Sequence, residues 1–152
     1  MYQHILVPTD GSDTARQGLR EAIALAKRLD SRIRVLHVYN GAPLLVPEVS
    51  MAQDAIATKF RENGVEILQE AEAMVRAAGV AVEQRLVEAF GDRIAAYVVE
   101  EARAWPAQLI VCGTHGRRGL SRLVMGSDAE LIVRQSPVPV LLIHPANHTN
   151  ST

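Results

Sequence analysis

The chain has 152 residues, of which 48% are hydrophobic and 22% are charged, and its formal net charge at pH 7 is -1. This length suits one domain with a single buried core, so a two-domain organisation is disfavoured. Because the charges nearly balance, no strong positive field attracts phosphate backbones, and general nucleic-acid binding is not expected. No apolar run approaches the ~20 residues needed to cross a bilayer, so we expect no membrane contact.

Cysteine content and the start of the chain indicate the compartment. Cys112 is the only cysteine, and the chain does not open with a basic segment followed by an apolar one. An intramolecular disulfide and a thiolate metal cluster are therefore excluded, and no secretory signal is predicted. We expect a cytoplasmic protein in which Cys112, inside an apolar strand, behaves as a small buried hydrophobe.

Short β-branched runs alternate with longer segments of helical period, which is typical of a parallel sheet covered by helices on both faces. The pattern predicts five strands, at residues 5–7, 33–38, 80–87, 109–112 and 138–143. The segment 41–50 lacks periodicity and is read as a surface connection rather than a flap. We expect one domain over residues 1–145 and a disordered tail over residues 146–152.

Four helices are predicted between the strands. The first follows Ser12, a residue type that is common at N-caps, and the second runs from about Met51 to a stop at Gly79. The third follows Gly91 with Asp92 as its cap and ends before Pro106, and the last begins at Gly126. Their inward stripes are predicted to include Ala15, Leu19, Ala22, Ala26 and Leu29; Ile56, Phe60, Ile67, Leu68, Ala71 and Val75; and Ile94, Val98, Val99, Ala102 and Trp105.

The densest glycine spacing in the chain follows the fourth predicted strand. It comprises Gly113, Gly116 and Gly119, after which Gly126 and Ser127 open the last helix. Glycine permits a positive φ and lets a ligand approach the main chain without a Cβ in the way. The free N–H groups and the dipole at the start of a helix favour an anion. A phosphate therefore suits this corner of the predicted sheet.

The run Gly113-x-x-Gly116, nine residues, then Gly126-Ser127 resembles the G-x-x-G-x9-G-[ST] signature of nucleotide-binding universal stress proteins. Residues 5–12, ILVPTDGS, are similar to that family's first strand and turn, and residues 139–143 are similar to its last strand. The resemblance reaches to about His144. It implies a single Rossmann-like domain of the adenine nucleotide alpha hydrolase-like type, with three α/β/α layers and a five-stranded parallel sheet in the order 3-2-1-4-5.

The resemblance also implies a bound ATP or ADP where the first and fourth strands flank the switch point of the sheet. In this family the base and ribose would lie near Pro8, Thr9, Asp10 and Val38, with Gly113 beside the ribose. The phosphates would lie on Gly116, Arg117, Gly126, Ser127 and Asp128.

Several of these residues have structural explanations as well. Asp10 is as readily a turn former as a ribose or metal ligand, and Ser127 with Glu130 is also a capping box. Asp128 either repels a triphosphate or holds a divalent metal such as Mg²⁺ against the phosphates. His115 is expected to be a solvated loop residue, because no partner nucleophile or second ligand lies near it in the sequence.

Common catalytic signatures are absent from the sequence, including G-x-x-x-x-G-K-[ST], G-x-S-x-G and H-E-x-x-H. We assign no catalytic residue and expect slow ATP hydrolysis at most. Three functions stay open: a stress-response module that depends on ATP or ADP, a dimeric interaction protein that binds no nucleotide, and a Mg²⁺-dependent phosphohydrolase using Asp10 or Asp128.

The last predicted strand is a candidate dimer edge. The family that the chain resembles commonly dimerises through this strand. The apolar run from Val138 to Ile143 suits that role, because a bare apolar edge is an aggregation hazard that pairing with a second copy removes.

Overall fold

Five parallel strands form one sheet in the computed structural model of the protein, which describes residues 1–41, 50–91, 93–114 and 125–145, with residues 50–53 described by their backbone alone. The strands are β1 (His4–Pro8), β2 (Arg32–Asn40), β3 (Val82–Ala89), β4 (Leu109–Gly113) and β5 (Val140–Ile143). Their order is β3-β2-β1-β4-β5, and all neighbouring pairs are parallel. The predicted α/β fold and strand order are confirmed.

In the described parts of the chain, four helices cover the two faces of this sheet: α1 (Asp13–Leu29), α2 (Ser50–Ala77), α3 (Ile94–Ala104) and α4 (Ser127–Gln135). Alternate side chains of each buried strand point to opposite faces, so the sheet contributes to two apolar cores. One core joins the sheet to α1 and α2 through Ile5, Val35, Leu19 and Leu68. The other joins it to α3 and α4 through Leu6, Leu36, Val98 and Ile132.

The ends of α1 and α2 follow the predicted capping chemistry. Ser12 Oγ accepts a hydrogen bond from the Ala15 N–H at 3.2 Å, which confirms Ser12 as the N-cap of α1. Gly79 adopts a φ of 76° just after α2, a conformation that suits glycine. It allows the Val80 N–H to turn back to the Val75 carbonyl oxygen at 3.3 Å.

Two predicted strand starts are wrong by two residues. Residue 80 is not in β3, because the Val80 N–H closes the end of α2 and is not available to a ladder. Residue 138 is not in β5, because the Val138 N–H bonds Ser136 Oγ and the following Pro139 has no N–H. The Ile110 N–H already bonds the Pro139 carbonyl oxygen at 3.0 Å, and the paired residues of β4 and β5 begin at Ile110 and Val140.

The predicted inward stripes of the helices are partly wrong. Ile56 and Phe60 on α2 and Ile94 at the start of α3 are exposed. Among the residues of α2 whose burial is described, the first buried one is Gly64. The periodic pattern therefore predicted an apolar stripe that extends beyond the part of the helix that the sheet covers. Leu29, in the last turn of α1, is exposed for the same reason.

Three further predictions fall on residues outside those described. These are the cap at Asp92, residues 42–49 of the connection predicted over 41–50, and the tail over residues 146–152. The helix α3 has Arg93 at its N-cap position, without a side-chain hydrogen bond to the cap. No helix in the described parts of the chain is both long and apolar enough to span a membrane.

An ion cluster ties α3 to the amino-terminal part of β2 and β3. Arg34 on β2 donates to Glu83 on β3 at 2.5 Å and to Glu101 on α3 at 2.6 Å. The Arg34 guanidinium also lies 4.7 Å from the centre of the Trp105 ring. The hydrogen bond from Arg34 lowers the pKa of Glu83, and the Glu101 side chain is buried. The cluster therefore stabilises the packing of α3 on the sheet.

Replacing Glu101 with alanine should destabilise the protein by about 2 to 3 kcal/mol, because it leaves the Arg34 charge without one of its two carboxylate partners. The neighbouring Glu100 is exposed and serves as the matched control, for which Glu100→Ala should change stability by less than about 0.5 kcal/mol. Urea unfolding followed by circular dichroism measures both changes. Equal effects of the two substitutions would show that the cluster contributes nothing beyond an ordinary surface carboxylate.

Candidate functional site

The candidate site lies at the carboxyl edge of the sheet, where the order of the strands reverses. In a parallel sheet all strands end at the same edge, and β1 has β2 on one side and β4 on the other. The helix that follows β1 packs on one face, whereas the helix that follows β4 packs on the opposite face. The two connections therefore separate and leave a crevice, which is where open α/β sheets bind ligands.

A tight turn leaves β1 at this crevice. The Thr9 N–H donates to the Leu36 carbonyl oxygen at 2.8 Å, and Thr9 Oγ1 accepts from the Gly11 N–H at 3.3 Å. Asp10 Oδ1 accepts from the Ser12 N–H at 2.9 Å, which gives Asp10 the turn-forming role. Gly11 has a φ of 78°, so this turn is one place where glycine is required.

Pro8 explains why β1 and β4 separate. Because the Thr9 N–H points to β2, the alternation of a strand places the preceding main-chain nitrogen on the side of β4. Pro8 has no hydrogen on that nitrogen and cannot donate to β4. The paired residues of these two strands stop at Leu6 and Ile110.

The main chain of Val38 faces the same crevice. The Arg32 N–H and the Leu36 carbonyl oxygen bond the β1 side, whereas the Ile33 and Gly41 N–H groups bond the β3 side. Even-numbered residues of β2 therefore direct their N–H and C=O toward β1. For Val38 these groups point past the end of β1, while its buried side chain belongs to the core beneath α3.

Gly113 ends β4 against the first turn of α1. A Cβ on Gly113 would lie 2.7 Å from Thr14 Cγ2, which is closer than real Cβ contacts, and Gly18 of α1 lies beside the Gly113 nitrogen. Neither Gly113 nor Gly126 has a positive φ, so neither position needs glycine for an unusual backbone conformation. The Gly113 position has no room for a side chain because α1 approaches it closely.

The start of α4 supplies main-chain donors. The Gly126 N–H donates to the carbonyl oxygen of the buried Thr114 at 2.7 Å, which ties α4 to the end of β4. The first bond within the helix is that of the Glu130 N–H to the Gly126 carbonyl, so the N–H groups of residues 127–129 have no acceptor inside α4. Such a helix start attracts an anion.

The predicted capping box at Ser127 is wrong. Gly126 occupies the N-cap position without a side-chain hydrogen bond to the cap, and Ser127 is already the first helical residue. Glu130 pairs with Arg134 at 2.9 Å along the same helix. Asp128 lies in the first turn, where a carboxylate stabilises the helix dipole, so it has a structural role independent of any ligand.

The structure brings most of the predicted site residues to one edge of the sheet. Pro8, Thr9, Asp10, Val38, Gly113, Gly126, Ser127 and Asp128 all lie at the carboxyl ends of β1, β2 and β4 or at the start of α4. Gly116 and Arg117, together with His115, lie outside the described residues. Within the described residues, no three His, Cys, Asp or Glu side chains are grouped to hold a metal ion.

Sequence reasoning missed three residues that shape this edge. Thr14 occupies the space opposite Gly113, Thr114 accepts from Gly126, and His37 Nδ1 lies 2.8 Å from the Thr9 carbonyl oxygen. Only His37 carries a visible signal, as a polar residue among the apolar ones at the end of β2. Burial raises the pKa of the Cys112 thiol to about 11, which supports its assignment as an unreactive core residue.

A second depression lies at the opposite, amino-terminal edge of the sheet. It is lined by Lys27, Asp30 and Arg32 together with the turn at Gly79. Charges of both signs line it, so its electrostatics favour neither an anion nor a cation. The arrangement selects no ligand class.

Comparison with known proteins gives a consistent family. The model of the universal stress protein family matches residues 1–144. A universal stress protein of Methanocaldococcus jannaschii is 32% identical over 143 residues, which cover 94% of this chain and 82% of that protein.

Solved structures of similar proteins share the fold. The universal stress protein of Lactobacillus plantarum superposes with a TM-score of 0.83 at 21% identity and covers 94% of this chain and 98% of its own. The universal stress protein of Archaeoglobus fulgidus in complex with dAMP superposes with a TM-score of 0.67 at 27% identity and covers 93% and 98%.

The substitution Gly113→Ala should destabilise the protein by about 1 to 3 kcal/mol, because the added Cβ overlaps the Thr14 methyl group. Combining it with Thr14→Ser, which removes that methyl group, should recover most of the loss. Thermal unfolding of the two single variants and the double variant measures the coupling. Additive losses in the double variant would contradict the packing explanation.

Proposed function

Because this chain belongs to the universal stress protein family, we propose that it binds ATP or ADP at the carboxyl edge of its sheet and acts in the cytoplasm as a nucleotide-dependent regulatory module of the stress response. The observation that carries the proposal is the start of α4. There, three N–H groups without an acceptor in the helix adjoin the crevice between β1 and β4. The complex of an Archaeoglobus fulgidus relative with dAMP supports an adenylate as the ligand.

The base and ribose are assigned to the β1 and β2 side of the crevice. The main-chain N–H and C=O of Val38 offer one donor and one acceptor past the end of β1, which suits the edge of an adenine ring. Pro8, Thr9 and Asp10 form the adjoining wall. Thr9 contributes mainly shape, because its N–H, carbonyl and hydroxyl groups are already engaged by the fold.

The phosphates are assigned to the β4 and α4 side. Gly126 and Ser127 present the start of α4, and Gly113 ends the neighbouring strand. Gly116 and Arg117 complete this part of the proposed site through the sequence motif. The Asp128 carboxylate and the phosphates would repel each other, and a divalent cation bound with the nucleotide offsets that repulsion.

Mg²⁺ fits the proposal as an ion that accompanies the nucleotide. Phosphate oxygens usually supply several of its ligands, with one or two carboxylates from the protein. Asp10 and Asp128 are the carboxylates at the edge of the crevice that would serve. We assign neither a catalytic role.

We also propose a homodimer that forms through β5. The two edge strands of the sheet differ in chemistry: β3 carries Glu83, Arg85 and Glu88, whereas β5 reads VLLI and has no charge. Charged side chains protect an edge from pairing, and an uncharged apolar edge invites it. Leu141 on β5 is 37% exposed and Val133 on α4 is 43% exposed. The predicted interface from Val138 to Ile143 therefore contains the edge strand that is better suited to pairing with a second copy.

Denaturing the purified protein and identifying the released nucleotide by mass spectrometry tests the ligand directly. Titration with adenosine, AMP, ADP and ATP, each with and without Mg²⁺, should give affinity that rises with added phosphates. A protein that releases no adenylate and also ignores millimolar ATP would contradict the proposal and favour a dimeric interaction protein without a nucleotide.

The substitution Gly126→Val should weaken ADP and ATP binding by ~10-fold or more, because it obstructs charge-assisted hydrogen bonds worth ~1.5–3 kcal/mol. Adenosine affinity should change little. The Gly126 backbone has φ -59° and ψ 148°, which valine can adopt, so the protein should stay folded. Gln135→Val, at the exposed other end of α4, is the matched control. Unchanged ATP affinity in folded Gly126→Val protein would refute the placement of the phosphates.

The substitution Leu141→Glu should convert the dimer to a monomer at micromolar concentration, because it places a charge on the apolar edge of β5. Light scattering coupled to size exclusion measures the mass of each species. Leu29→Glu is the control, since Leu29 is 40% exposed but lies on α1. A monomeric unchanged protein, or a dimer that survives Leu141→Glu, would contradict the β5 interface.

A further inference from the structure

His37 connects the core beneath α2 to the turn at the candidate site. It lies on β2 next to Val38, and its Nδ1 is 2.8 Å from the Thr9 carbonyl oxygen. A carbonyl oxygen only accepts hydrogen bonds, so the hydrogen in this bond belongs to Nδ1 of His37. The Thr9 N–H already bonds the Leu36 carbonyl at 2.8 Å. Both main-chain polar groups of Thr9 are therefore held by β2.

A glycine on α2 makes room for the His37 ring. Gly64 lies in the middle of α2 and is buried. A Cβ on Gly64 would lie 2.7 Å from His37 Cδ2 and 2.9 Å from Leu86 Cδ1. Real Cβ atoms do not approach other atoms so closely, so a side chain at residue 64 would require the His37 ring or the Leu86 side chain to move. The ring is thus confined between α2 on one side and the Thr9 turn on the other.

We propose that His37 is a positioning residue of the nucleotide site, which fixes the Thr9–Asp10 turn opposite the Val38 main chain and is itself held in place by the close approach of α2 at Gly64. The proposal rests on the proposed function for the identity of the ligand. Thr9 is 8% exposed, so loss of the His37 donor would leave a largely buried carbonyl without that partner and release the turn.

The position of the turn determines which part of the ligand should respond. The Thr9–Asp10 turn borders the base and ribose, whereas Gly126 borders the phosphates. A change at His37 should therefore weaken adenosine and ATP by the same factor. A change at Gly126 should weaken ATP far more than adenosine. This difference separates a local effect at the turn from a general loosening of the site.

A matched pair of substitutions isolates the donor. The Nδ2 of asparagine lies the same number of bonds from the main chain as Nδ1 of histidine and can donate, whereas leucine has a similar branched shape and cannot. His37→Leu should bind adenosine and ATP ~5-fold more weakly, as expected for the loss of one hydrogen bond. His37→Asn should recover most of that loss. Equal affinities of the leucine variant and the unchanged protein would overturn the proposal.

A substitution on α2 tests the second part of the proposal. Gly64→Ala should displace the His37 ring and weaken adenosine binding ~2- to 5-fold, although residue 64 lies on a helix that is not part of the proposed site. Gly79→Ala is the control, because Gly79 has φ 76° and open space around it. That change should lower thermal stability without altering affinity. If Gly64→Ala and Gly79→Ala show the same relation between lost affinity and lost thermal stability, the link through α2 is refuted.

Hydrogen exchange gives a readout that needs no nucleotide. The Gly11 and Ser12 N–H groups bond Thr9 Oγ1 and Asp10 Oδ1 in the turn. Their exchange should be faster in His37→Leu than in His37→Asn, while the core amides of β4 stay protected. Faster exchange in a protein that binds no adenylate would support the role of His37 in holding the turn and refute the proposed function. Unchanged exchange with unchanged affinity would refute the role of His37 alone.

Discussion

The end of β1 at Pro8 is the constraint from which the shape of the candidate site follows. Pro8 cannot donate to β4, and β1 stops there, whereas β2 continues to Asn40. The unequal lengths leave the Val38 main chain on one wall of a crevice and Gly113 on the other. Because the connections after β1 and β4 pass to opposite faces, no helix fills the space between them.

At two places near this crevice, a helix approaches a strand closely. Gly113 lies against Thr14 of α1, and Gly64 of α2 lies against His37 of β2. In both cases a missing side chain lets a helix pack near the carboxyl edge. A glycine in this fold therefore indicates first that a neighbouring element packs closely, and only then that a ligand binds there. One glycine can both permit close packing and shape a binding site, where the packing positions the residues that border the ligand.

The polar groups at the two ends of the molecule are used differently. At the amino-terminal end, Arg34 forms ion pairs with both Glu83 and Glu101, so each of these charges has a partner inside the fold. At the carboxyl end, the first N–H groups of α4 have no acceptor within the helix. Polar groups near a buried surface need partners, so an anionic ligand at the carboxyl end would supply acceptors for these donors.

The sequence by itself determined the class of the fold, the nine helices and strands of the described residues, the caps at Ser12 and Gly79 and the glycine signature. These follow from the sequence because periodicity, capping and turn chemistry are local properties of the chain. It placed residues such as Val38 and Gly126 at one edge through the family resemblance. The tertiary structure alone decided that Val80 and Val138 lie outside the strands, that Phe60 and Ile94 are exposed and that Ser127 is not a cap. It alone brought His37 to Thr9 and Thr14 to Gly113, because contacts between residues distant in sequence depend on how closely the helices pack on the sheet, which no local pattern encodes.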